Sequence, residues 1–331
     1  MQPITKIHPL LKEVKNIVIT THYGPDGDAI GSSLGLQIYL QKLGHNVVTI
    51  VPSKCPDFIE FLPKTDTLIN FEAMPLKAEK VLEKADILFC LDFNTFHRTR
   101  DLKTLLEDSY AIKVLIDHHL EPAIEDFDYG WSDPESSSTC EMVYHFIVEH
   151  TKKEHFDMDM MTLLYTGVVT DTGSFRYERA TGDLHRMIAF FKDSGLNHTK
   201  IHEQLFNTWS ENRLKFLGHV LAERLHVFPN LGWSYMAIKE EDFIKFNVKK
   251  EDIEGFVNYG LTIKGIHSTV LLSQRGNQEV RLSFRSNIGY DVRTIASTHF
   301  MGGGHENAAG GTFHGTLEDA INHLKQNVLK Q

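Results

Sequence analysis

The sequence predicts a two-domain α/β protein whose first domain is built on a mainly parallel sheet flanked by helices, and three observations carry that expectation. The chain has 331 residues, which exceeds the usual range of a single domain and suffices for two cores. In its first half, short β-branched and aliphatic runs alternate with helical apolar spacing, the pattern of β-α-β units. Several of those runs stop abruptly at an acid or a histidine, and in open α/β sheets the carboxyl ends of the strands are where ligands bind.

Composition narrows the function classes. Apolar residues make up 41% and charged residues 24%, as in ordinary globular proteins rather than disordered ones. No apolar run has the length of a membrane-spanning helix, and Met1-Gln2-Pro3-Ile4-Thr5-Lys6 lacks a signal-peptide core, so a cytoplasmic location without membrane contact is expected. Cys55, Cys90 and Cys140 are widely spaced and form no CxxC pair, which excludes a disulfide framework and a thiolate zinc site. A net charge of -10 opposes binding along duplex DNA, while a small anion held by a local cluster is allowed.

Ile17 to Thr21 reads as the first buried strand. It runs into His22-Tyr23-Gly24-Pro25-Asp26-Gly27-Asp28, where Pro-Asp-Gly is turn chemistry and a helix begins near Ala29. A plain strand-turn-helix junction would explain Asp28 as a helix cap but leaves His22 beside two acids unexplained. Val47 to Val51 is the second strand, and Asp86 to Leu91 is a further one that ends at Asp92. Val114-Leu115-Ile116 then stops at Asp117-His118-His119, three ionisable groups able to supply metal ligands, an orienting carboxylate and a phosphate contact. Ser136-Ser137-Ser138-Thr139 precedes the helical pattern of Met142, Val143, Phe146 and Ile147 and reads first as its cap, with a phosphate contact as the lesser alternative. Leu163 to Thr170 reads as a helix that delivers Asp171.

From His185 to Phe216 the pattern is helical, with a glycine stop at Gly195, and the strand-end acids cease. Residues 191–216 are expected to be a linker between a domain of residues 1–190 and another of 217–331. In the latter, Leu225 to Phe228, Trp233 to Ile238, His267 to Ser273 and Glu279 to Phe284 read as strands, the last two flanking a turn at Gln274-Arg275-Gly276-Asn277. Alternation in Val280-Arg281-Leu282-Ser283-Phe284-Arg285-Ser286 puts Arg281, Ser283 and Arg285 on one face, and paired guanidinium groups recognise phosphate. In Gly302-Gly303-Gly304-His305-Glu306-Asn307-Ala308-Ala309-Gly310-Gly311 the small residues let backbone amides approach a ligand and His305 adds a donor.

These segments resemble the DHH phosphoesterase superfamily: His22-x-x-x-Asp26-x-Asp28, Asp92 after an apolar strand, Asp117-His118-His119 and Thr170-Asp171-Thr172-Gly173 stand in the family's order. The glycine-rich run resembles the signature of the DHHA1 substrate-binding domain, so the resemblance spans nearly the whole chain. It implies an N-terminal DHH domain, a smaller C-terminal α/β DHHA1 domain and an active site in the cleft between them. It also implies one divalent ion on His22, Asp26 and Asp92 and a second on Asp28, Asp92, His118 and Asp171, with Asp92 bridging. A donor set of carboxylates and imidazoles favours manganese, with magnesium or cobalt as alternates. Asp117 would orient a neighbour, while His119, and more weakly Arg98, would face the substrate phosphate. Arg281, Ser283, Arg285, Gly303, Gly304 and His305 would capture the nucleotide.

The activity implied is hydrolysis of short single-stranded RNA to mononucleotides, and of 3′-phosphoadenosine 5′-phosphate to AMP. Three alternatives stay open: a cyclic- or linear-dinucleotide phosphodiesterase, a family II inorganic pyrophosphatase, and a nucleotide-binding regulator without catalysis. The glycine-rich signature opposes the second, and the intact set of family metal positions opposes the third. The pattern leaves a homodimer, base preference and direction of attack open.

Overall fold

A computed structural model describes residues 1–151 and 153–329, which fall into two compact units, Met1–Thr208 and Trp209–Gln331. In the first unit the strands are β1 (Gln2–Pro3), β2 (Asn16–Thr20), β3 (Asn46–Val51), β4 (Ile69–Asn70), β5 (Ile87–Leu91), β6 (Ile112–Asp117) and β7 (Tyr129–Ser132). The helices are α1 (Gly27–Lys42), α2 (Pro75–Leu82), α3 (Lys103–Glu107), α4 (Thr139–Thr151), α5 (Met158–Asp171), α6 (Gly182–Asp193) and α7 (His198–Phe206). The strands form one sheet in the order β1-β7-β6-β5-β2-β3-β4, and every neighbouring pair is parallel. The expected mainly parallel sheet is therefore present, flanked by helices.

Side-chain alternation explains why both faces of this sheet are covered. Ile17, Ile19, Phe89, Leu91, Val114 and Ile116 pack into a core with α1, α4 and α5. Val18, Leu88, Cys90 and Leu115 point the other way, into a core with Ala78 and Leu82 of α2 and Leu106 of α3. From β2 the chain winds outward through β3 and β4, then returns to β5 on the opposite flank of β2 and proceeds to β6 and β7. The strand order thus reverses between β2 and β5, which opens a crevice at their carboxyl ends.

The second unit has α8 (Glu211–His219), α9 (Glu240–Phe246), α10 (Val292–His299) and α11 (Leu317–Asn327). Its strands are β8 (Leu225–Phe228), β9 (Trp233–Ile238), β10 (Ser268–Gln274), β11 (Glu279–Ser286), β12 (Gly303–His305) and β13 (Ala308–His314). They form a mixed sheet ordered β12-β13-β11-β10-β9-β8, with only the β9–β10 pair parallel among the described residues. Val280, Leu282 and Phe284 of β11 are buried in a core with Val292, Ala296, Leu317, Ala320 and Leu324. No helix among the described residues is long and apolar enough to cross a membrane.

Candidate active site

Each acid or imidazole anticipated at a strand end in the first unit is positioned by a local cause. His22 follows β2 and is buried, its Nδ1 3.0 Å from the Tyr23 carbonyl. The cap of α1 is Asp26 rather than Asp28: its Oδ1 accepts from the Asp28 and Ala29 amides at 3.0 Å each, so the helix starts at Gly27. This frees Asp28, the second residue of the helix and 1% exposed, to accept from the Thr139 and Cys140 amides at 2.7 and 2.8 Å. The amino end of α4 therefore holds Asp28, as its unpaired amides and dipole favour a carboxylate.

Asp92 directly follows β5 with φ 64°, and its amide donates to the Ile116 carbonyl of β6 at 3.1 Å. Its Oδ2 lies 3.4 Å from His22 Nε2, and its Oδ1 lies 3.5 Å from His118 Nε2. Thr139 Oγ1 donates to the same Oδ1 at 3.1 Å. Buried Asp117 accepts from His119 Nδ1 at 2.7 Å, which fixes the tautomer of His119 and directs its Nε2 away. His118 Nε2 is 3.4 Å from Asp171 Oδ2 and 3.9 Å from Asp28 Oδ2, while its Nδ1 is 3.3 Å from the Ser136 carbonyl.

Asp171 reaches this cluster because α5 lies close against α1. A Cβ on Gly27 would collide with Thr170, and one on Gly31 with the Leu163 carbonyl. Gly167 abuts Cys140 and Asp28 in the same way.

Donor atoms converge on Asp92 in three triads within this unit: His22 with Asp26 and Asp92, Asp28 with Asp92 and His118, and Asp92 with Asp117 and His119. Asp171 stands beside the second of these through His118. Electrostatics follow from the crowding. Burial, together with Asp92 and Asp171, raises Asp28 well above the usual carboxylate range, and burial lifts Asp171 to about 7. Burial would raise Asp92 too, but the His118 and His22 imidazoles hold it well below its ordinary value. Burial pulls His118 down, yet Asp171, Asp92 and Asp28 carry it well above the ordinary imidazole value. Arg98, half-buried in the turn Phe96–Leu102, adds to the burial that lowers His119.

The cluster fits a pair of hard divalent cations. It offers oxygen and imidazole nitrogen only, because the Cys140 thiol faces the Asp28 carbonyl and burial pushes its pKa well up. Carboxylates in mutual repulsion are the arrangement that cations relieve, and the buried Asp117 Oδ2 has no partner among the described residues.

In the second unit β11 alternates as expected: Arg281 and Ser283 are exposed and Arg285 half-buried, whereas Val280, Leu282 and Phe284 are buried. Register extends that face across the sheet. Arg285 pairs with Ala308 and Ala308 with His305, and Ser283 pairs with Gly310 and Gly310 with Gly303. Directly paired residues share a face, so His305 stands in the row of Arg285, with only small side chains between them. The glycine-rich run is a hairpin, and the amides of β12 are partly engaged by β13. Gly304 has φ 136° and a Cβ there would strike the Ala308 carbonyl, so glycine is required for the crossing.

Thr139 and the α4 amides were not singled out from sequence as parts of the site. The spacing from Asp92 to Thr139 is long-range, and a serine-threonine run reads locally as a cap. Ser138 does cap, accepting the Glu141 amide at 3.1 Å.

A parallel sheet with imidazole and carboxylate triads at its switch point, followed by a mixed sheet with a two-arginine face, defines a class of two-domain α/β protein equipped for anionic phosphoester ligands. Family models agree in both halves: the DHH family N-terminal domain matches residues 16–168, and the DHHA1 domain matches residues 233–330. The chain is 32% identical to a bifunctional oligoribonuclease and PAP phosphatase NrnA of Thermus thermophilus, over 97% of this chain and 92% of that one. It is 27% identical to the protein of the same description from Bacillus subtilis, over 90% and 89% of the two chains. A solved exopolyphosphatase-related protein from Bacteroides fragilis superposes with a TM-score of 0.93 at 33% identity, covering 98% of this chain and 94% of that one. The chain belongs to the DHH/DHHA1 phosphoesterase superfamily.

Proposed function

We propose that this protein is a two-metal phosphoesterase that hydrolyses short oligoribonucleotides to mononucleotides and 3′-phosphoadenosine 5′-phosphate to AMP, with manganese as its ion. The observation that carries the reading is the sharing of Asp92 between the His22–Asp26 triad and the Asp28–His118 triad. One carboxylate common to two donor sets is what brings two cations within the roughly 3.5–4 Å that two-metal hydrolysis requires. The names of the NrnA relatives support the substrate class.

In this reading His22, Asp26 and Asp92 hold one ion, and Asp28, Asp92, His118 and Asp171 hold the other. Bound there, the pair would supply Lewis-acid stabilisation of phosphoryl oxygens and acidify water. The rest is done by the chain's own groups. Asp117 fixes the His119 ring through the 2.7 Å bond, so that Nε2 faces the scissile phosphate. Arg98 adds a guanidinium charge beside His119. The first unit would carry the chemistry and the second the capture of the nucleotide, through Arg281, Ser283, Arg285, Gly303, Gly304 and His305.

The test offers purified protein with manganese to labelled di- to pentaribonucleotides, 3′-phosphoadenosine 5′-phosphate, a cyclic dinucleotide and pyrophosphate side by side. Fastest turnover is expected on the short linear RNAs. Preference for pyrophosphate or for the cyclic dinucleotide would overturn the reading.

A further inference from the structure

Beside the arginine face of the second unit lies a pile of rings that the proposed chemistry does not use. The His267 imidazole and the Tyr290 phenol stack face to face, with centroids 3.6 Å apart and planes 7° from parallel. Gly232 packs tightly on His267 as well: a Cβ at that position would collide with the imidazole ring. His267 is thus confined by Gly232 and stacked on Tyr290, while Tyr290 remains 43% exposed. A tyrosine recruited only to bury its ring would not be left so uncovered.

The pile is also held in place. His267 Nδ1 lies 3.0 Å from Ser268 Oγ, and the Asn287 amide donates to the His267 carbonyl at 2.8 Å. Asn307, inside the glycine-rich hairpin, donates through Nδ2 to Ser286 Oγ, the Asn287 carbonyl and the Tyr290 carbonyl, and Ser286 Oγ donates to that last carbonyl as well. The loop bearing Tyr290 therefore starts two residues beyond Arg285 and is fastened two residues beyond His305. Exposed Ile288 prolongs the apolar surface on the same loop.

We infer that Tyr290, backed by His267, is the stacking platform for a nucleobase of the substrate, next to the phosphate contacts of Arg285 and His305. This rests on the nucleotide reading above and extends it: the protein would grip base as well as phosphate, without reading base identity. Every base has a π-face, so stacking tolerates sequence. A ring already braced by a second ring loses little freedom when a base settles on it.

The test uses the full-length protein with manganese and compares 5′-phosphorylated diadenylate with two analogues in which one or the other nucleotide is abasic. The wild type should favour diadenylate over one analogue by about tenfold to a hundredfold in KM, with kcat little changed. Tyr290→Ala should lose that preference, and Tyr290→Trp and Tyr290→Phe should keep it. Retention of the preference by Tyr290→Ala, or its loss in Tyr290→Phe with the fold intact, would overturn the platform. Should the wild type cleave none of the three, the function proposal fails by itself. AMP binding followed through the Tyr290 ring resonances then decides the platform: upfield shifts on titration support it, and unshifted resonances end it.

Discussion

At φ 64° Asp92 occupies the left-handed region, where most side chains are strained but aspartate and asparagine are tolerated, and the amide bond to Ile116 keeps it there. Asp92→Asn should therefore fold. Because both proposed ion sites draw on this carboxylate, the variant should lose roughly a thousandfold in kcat/KM, about 4 kcal/mol. Kinetics alongside elemental analysis of bound manganese check this; two ions retained with near-full activity would sink the bridging role. Arg281→Ala, Arg285→Ala and His305→Ala stand on the other unit and should leave manganese content unchanged while raising KM more than they lower kcat. Loss of manganese in these three would contradict that division. Asp92, Asp117, His118 and His119 were legible as site candidates because an apolar run ending in a charge is a local signal. Thr139 was not, since only the folded sheet brings it to Asp92.

Helix packing sets the next scale. The glycines of α1 and α5 let two backbones approach until Asp28 and Asp171 flank His118. Gly167→Ala places a methyl group against Cys140 Sγ and 3.0 Å from Asp28 Oδ1, an overpacking cost of about 1–3 kcal/mol. Calorimetry should show a lower Tm and manganese titration a weaker second site; unchanged values for both would mean the helices have slack. In the second unit, buried Asp242 accepts from Arg224 Nε and Nη2 at 2.9 and 2.8 Å and from the Lys239 amide that opens α9 at 3.0 Å. Burial alone would raise its pKa, but these donors hold it below the ordinary value. Stability from a lowered carboxylate is fully present above the unfolded-state pKa, about 4, and is lost as pH falls through the folded value. Asp242→Asn should cost about 2–3 kcal/mol at pH 7 and progressively less in acid. Denaturant melts at pH 7 and below pH 4 measure the difference, and a pH-independent cost would refute the ionic account. Strands β8 and β9 were readable to the residue because the turn residues Pro229 to Gly232 separate them and charged residues, Arg224 and Lys239, bound their outer ends. The α1 start was misplaced, because Asp26 and Asp28 are equivalent as caps in sequence and only the α4 amides distinguish them.

At the scale of the whole molecule, a net charge of -10 disfavours a long polyanion. Under the proposed function, each phosphate beyond those held by Arg281 and Arg285 would meet repulsion at low salt. Values of kcat/KM for 5′-phosphorylated RNAs of two, five and twenty-four nucleotides should fall with length; a flat or rising series would indicate a processive exonuclease. The two-domain plan was legible from chain length and the change of pattern after Asp171. The two-residue edge strands β1 and β4 were not, because so short a run carries no periodicity. The reversal of strand order between β2 and β5 has a consequence for synthesis. His22, Asp26 and Asp28 emerge from the ribosome first, yet every triad of the first unit also needs Asp92, from the other side of the seam. A nascent chain that ends before β5 thus carries three donors and no complete triad. A complete triad in this unit therefore reports that the two flanks have joined, and a product truncated before β5 cannot assemble one.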